Sequence, residues 1–113
     1  MDMDHIDKEY IDVDDALRRV GGNMDLYKRL LGRFIEGDSV ELLENALGSG
    51  DMEEASRLAH TIKGVSANLS LEKIRSISVD LEQAIKCGSD HSSIFSQLKD
   101  AHKSTAQRIA EMA

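Results

Sequence analysis

The chain has 113 residues, 41% of them hydrophobic, which is material for one core without a disulfide or metal staple. Fourteen Lys and Arg against 21 Asp and Glu give a formal net charge of −7, which repels nucleic-acid phosphates and anionic lipid surfaces. The single Cys87 rules out an internal disulfide and suits a reducing cytoplasmic setting; the stretch Met1 to Asp7 lacks the basic start and apolar core expected of a secretion signal, and no apolar run approaches membrane-spanning length.

With only two Phe, two Tyr and no Pro, and with Leu, Ile, Val and Ala carrying the apolar content, the composition favours packed helices over a β-sandwich. Residues 1–9 are expected to be a flexible extension of one domain spanning 1–113. Tyr10, Val13, Leu17 and Val20 then recur at helical spacing, and Gly21-Gly22 ends that first short helix. Asn23 is placed to cap a second, striped by Leu26, Tyr27, Leu30, Leu31, Phe34 and Ile35. Gly37 followed by Asp38 and Glu41 predicts a stop and a capped restart, with a continuous kinked helix as the alternative. Val40, Leu43 and Leu47 continue the pattern to the turn at Gly48-Ser49-Gly50.

Asp51 and Glu54 repeat the cap signal, opening a helix that runs toward Asn68 or Leu69, with Ser70 placed to cap its successor. Ile74, Ile77, Leu81 and Ile85 stripe that successor, Cys87-Gly88-Ser89-Asp90 ends it and recaps, and Ile94, Phe95, Leu98, Ala101, Thr105 and Ile109 mark the last helix. The expected fold is all-α: an up-and-down four-helix bundle with an accessory short N-terminal helix.

Within the helix that follows Asp51, about 100° per residue puts Ala55, Leu58, Ile62, Val65 and Leu69 on one apolar stripe and His60 roughly opposite. A histidine facing water has an ordinary pKa of about 6.5, so at neutral pH one ring nitrogen is available as a nucleophile. Lys63, one turn on, offers a donor to an anion attached to the ring, and a phosphoryl group is the natural anion. Gly64 removes the side chain that would crowd the imidazole at i+4, at a helix cost of roughly 0.5–1 kcal/mol.

His60-x-x-Lys63-Gly64 followed by Asn68-Leu69 resembles the signature of histidine-containing phosphotransfer (HPt) domains of multistep phosphorelays. The segment from Ala16-Leu17-Arg18-Arg19-Val20-Gly21-Gly22-Asn23 through Tyr27, Leu30-Leu31 and Phe34 is similar to that family's early part. The resemblance implies a four-helix core, an imidazole phosphorylated on Nε2, and exchange with receiver-domain aspartates. It also implies phosphoryl support from Lys63, partner access at Gly64 and site-helix geometry from Asn68. Expected partners are response-regulator receiver domains and a hybrid sensor histidine kinase. The chain itself is expected to need no cofactor, with Mg2+ belonging to the receiver. Where many family members have glycine soon after the Asn-Leu pair, this chain has Ser70, which could make the break by capping the next helix.

Other features read as structure. Gly21-Gly22-Asn23 lacks the Lys-Ser/Thr and the preceding strand of a phosphate loop, and no Walker or kinase motif provides for ATP. Asp12, Asp14 and Asp15 read as solvated charge at a helix start, and no Glu stands three residues before a histidine as carboxylate-bridged metal bundles require. His5, His91 and His102 read as solvated. The competing function is a non-phosphorylated helical adaptor that binds a sensor kinase or receiver domain.

Overall fold

The computed structural model describes residues 8–112. The flexible extension expected at 1–9 therefore falls largely outside the described residues. Lys8 and Glu9 are within them and form ion pairs with Asp14 (3.7 Å) and Lys73 (3.0 Å).

Six helices and no strand occupy the described residues: α1 Val13–Arg19, α2 Met24–Glu36, α3 Ser39–Ser49, α4 Met52–Asn68, α5 Glu72–Cys87 and α6 Ser92–Ala110. Helix α3 lies against α4, α4 against α5, α5 against α6, and α6 against α2, with α1 on α2. The body measures 43 × 20 × 20 Å, long in one direction as parallel rods require. One apolar core runs through it, with Ile11, Tyr27, Leu31, Leu43, Ile62, Ile74, Leu81 and Leu98 contributing from the first described segment to the last helix.

Local signals set most helix starts. Asn23 accepts from the Leu26 amide at 3.0 Å and Asp51 from the Glu54 amide at 3.1 Å, each satisfying an amide of a first turn that has no intrahelical partner. Asp38 is the N-cap residue of α3, so the restart after Gly37 replaces the kinked-helix alternative, but its side chain makes no capping bond. Asp90 works one residue earlier than an N-cap, accepting from the Ser92 amide at 3.0 Å. Gly21 and Gly22 have φ of +65° and +80°, the left-handed turn that glycine allows without a Cβ penalty.

Three expectations are corrected. Helix α1 starts at Val13, because Asp12 caps it by accepting from the Asp15 amide; Tyr10 precedes the helix, its ring under the Arg108 guanidinium at 3.7 Å. Val65 is exposed while Ala59 and Ser66 are buried, so the buried face of α4 is turned toward α5 relative to the stripe read from its large residues. Ser70 does not cap α5, whose N-cap is Leu71. It takes a left-handed φ of +55° in the turn closing α4, where the Leu71 amide donates to Ser66 O at 2.9 Å. Its hydroxyl donates to Asp15 Oδ2 at 2.7 Å, and its carbonyl accepts from the Asp12 amide at 3.0 Å. The hydroxyl thus holds the Asp15 carboxyl below its ordinary range, with Arg19 and Arg18 adding to the effect.

Candidate functional site

The short turn at Leu69–Leu71 sets α4 and α5 side by side, and the site forms along that seam. His60 projects from α4 with its side chain 67% exposed. Its Nδ1 lies 3.0 Å from Oε2 of Glu82 on α5. Lys63, one turn along α4, places Nζ 2.6 Å from Oε1 of the same carboxylate. Lys86, one turn along α5, reaches Oε2 at 3.3 Å.

Glu82 is the centre of this arrangement, although its side chain is only 7% exposed. Burial alone would raise a carboxyl's pKa, but three donors oppose it. The Lys63 hydrogen bond is the largest influence, joined by those of Lys86 and His60, and together they bring Glu82 down to about 2. At neutral pH the group is an ionised carboxylate, which can only accept. The ring nitrogen facing it must therefore carry the proton: Nδ1–H donates to Oε2, and Nε2 is the nitrogen that keeps its lone pair.

The structure joins His60 and Lys63 through Glu82. The Lys63 ammonium is compensated by that carboxylate before any other anion arrives. Gly64 is exposed, and a Cβ built there would meet no atom within 4 Å, so close helix packing does not account for a glycine at this position. Asn68 is not part of the cluster. It lines a groove of about 450 Å³ with Leu30, Phe34 and Val65, between α2 and the end of α4. Among the described residues no group of His, Cys, Asp or Glu could hold a metal ion, and no helix is long and apolar enough to cross a membrane. His102 departs from its solvated reading: it is half-buried with its ring 6.0 Å from that of Phe34, and burial lowers its pKa. His91 is partly buried at the start of α6, and His5 lies outside the described residues.

Glu82 was missed because two of its partners, His60 and Lys63, are on another helix. A local sign existed: it falls one turn after Ser78 and before Ile85, beside the buried stripe of α5, with Lys86 at i+4. A carboxylate on the inner flank of a helix must find a cation, and His60 and Lys63 face that flank.

The Hpt domain family model matches residues 30–111, nearly three quarters of the chain and all of this site. The chain belongs to the Hpt domain family. Hpt domains are phosphocarrier modules of phosphorelays rather than enzymes. Comparison with curated proteins gives no match. Among solved structures, the HPT domain of a sensor hybrid histidine kinase from Shewanella superposes with a TM-score of 0.71 at 17% identity, covering 93% of this chain and 97% of that one. At that identity the likeness speaks for the fold, and it supports an Hpt arrangement of the helices around the seam of α4 and α5.

Proposed function

We propose that this Hpt domain carries a phosphoryl group on Nε2 of His60, receiving it from one receiver-domain aspartate and passing it to another. The observation that supports this is the Nδ1 contact to ionised Glu82 on a ring that is two-thirds exposed. It leaves the outer nitrogen unprotonated and within reach of a visitor.

In the step, Nε2 attacks phosphorus, the P–N bond forms, the P–O bond to the aspartate breaks, and the carboxylate leaves. No proton has to move, since Nε2 carries none. The proton stays on Nδ1, hydrogen-bonded to Glu82, so the ring gains imidazolium character on phosphorylation and is a good leaving group for the next transfer. Both ends of the exchange thus keep high transfer potential, and direction follows from partner affinity and concentration. The Hpt domain supplies position and nucleophile; the receiver supplies Mg2+ and most of the catalysis.

Gly64 gives the visiting receiver room beside the ring, and the groove at Val65, Leu30 and Phe34 extends the contact surface on that side. A hybrid sensor kinase with its receiver is the expected upstream partner. The four-helix core of this reading counts the broken pair α2 and α3 as one rod beside α4, α5 and α6, with α1 as the accessory helix.

The test mixes a phosphorylated receiver with wild type and with His60→Gln. Acid-labile, base-stable label is expected on wild type and none on the variant. Equal labelling of the two overturns the carrier assignment, and tight binding without label on wild type establishes the adaptor instead.

A further inference from the structure

The cluster on Glu82 holds more positive charge than it needs. One carboxylate faces two ammonium groups, and with a neutral imidazole the sum is a net charge of plus one on a protein whose formal net charge is −7. The two lysines are not equivalent. Lys63 makes the short bond, 2.6 Å to Oε1, and its side chain is 31% exposed. Lys86 makes the long one, 3.3 Å to Oε2, is 59% exposed, and shares that oxygen with His60 Nδ1. Since ammonium and imidazole touch one atom, Lys86 lies no farther from the ring than those two contacts laid end to end.

Resting on the phosphocarrier reading above, we propose that Lys86 is the phosphoryl-binding cation, released from Glu82 to the phosphoryl oxygens when His60 is loaded. Moving it costs little. Its bond to Glu82 is the longer of the two lysine bonds, and its own side chain is 59% exposed, so the ammonium leaves the carboxylate without crossing a buried region. Glu82 does not become an unpaired buried charge, because Lys63 and Nδ1–H remain on it. The gain is larger: a dianionic group on an acidic protein obtains a flexible cation carried by α5, while Lys63 stays to hold the carboxylate that orients the ring. The two lysines thereby divide the work, Lys63 positioning and Lys86 binding.

The experiment loads the full chain from phosphoramidate, whose P–N bond breaks with loss of ammonia as the bond to Nε2 forms. Wild type, Lys86→Ala and Lys86→Arg are compared by phosphohistidine lifetime and by 31P NMR titration of the phosphoryl group. Lys86→Ala is expected to shorten the lifetime about two- to fivefold, the range for a partly exposed charge pair. It should also raise the pH at which the phosphoryl group takes up its proton, because a nearby cation favours the dianion. Lys86→Arg should restore both. Unchanged lifetime and titration in Lys86→Ala overturn the assignment to Lys86 alone, as does a change that Lys86→Arg fails to reverse. Absence of phosphohistidine on wild type overturns the carrier reading and this proposal with it.

Discussion

At the residue scale the decisive group is Glu82. A histidine facing solvent on a helix has two tautomers of similar energy, and only the one with Nδ1 protonated presents Nε2 as a lone pair. The buried carboxylate selects it by accepting from Nδ1 at 3.0 Å. Glu82→Ala removes the selection and leaves Lys63 and Lys86 without their shared counterion. A hydrogen bond to a charged group is worth roughly 1.5–3 kcal/mol, so the rate of label transfer from a receiver should fall about tenfold or more. The 15N spectrum of His60 separates this from simple loss of structure: the wild-type ring should show Nδ1–H, and the variant a mixture. A variant that transfers at the wild-type rate with an unaltered ring spectrum would remove Glu82 from the mechanism. His60, Lys63 and Gly64 were legible in the sequence because they share one helix, where spacing alone fixes their neighbourhood. Glu82 was not, because its role depends on the register between α4 and α5, which no local spacing encodes.

At the element scale, the end of α4 is held by three residues from two segments distant in sequence. Tyr27 on α2, fully buried, donates to the Leu69 carbonyl at 2.7 Å, and burial together with Asp12 and Asp15 raises its phenol pKa well above the usual range. Ser70 meets both Asp12 and Asp15 near the start of α1. These ties fix where α4 stops and hence how it lies against α5. Tyr27→Phe leaves the Leu69 carbonyl buried without its donor and should lower unfolding free energy by about 1–2 kcal/mol in urea titrations. At Ser70 two effects oppose each other. Glycine would relieve a left-handed backbone costing about 1 kcal/mol, yet lose the bond to Asp15. Ser70→Gly should therefore be close to neutral and Ser70→Ala destabilising by roughly 1 kcal/mol, with the difference between them measuring the backbone strain. Caps at Asn23 and Asp51 were readable because donor and acceptor stand three residues apart. The place of Tyr10 ahead of α1 and the conformation of Ser70 were not, since Arg108 on α6 covers the one and Asp12 and Asp15 hold the other.

For the whole molecule, two buried titrations should give acid unfolding two stages. His102 sits half-buried against Phe34 where α6 meets α2, and burial lowers its pKa below the ordinary 6.5. The unfolded chain then takes the proton first, so stability is unaffected above about pH 6.5 and declines as pH falls below it, until the folded state also protonates. Glu82 works lower. Its carboxyl falls from 4.5 to about 2 on folding, chiefly through Lys63, so its contribution is complete above pH 4.5 and is lost as pH drops toward 2. The two windows belong to different seams of the fold, α6 on α2 and α4 on α5, and each should shrink with its own residue. Urea midpoints taken at pH 7.5, 5.5 and 3.5 should fall in both intervals for wild type. His102→Gln should flatten the first interval and leave the second, while Glu82→Gln should lower stability at neutral pH by on the order of 1–3 kcal/mol and make the second shallower, Asp15 still contributing there. A wild-type midpoint that holds constant from pH 7.5 to 5.5 would mean His102 is solvated after all. Loss of both intervals in either single variant would mean the two seams unfold as one coupled unit through the shared core.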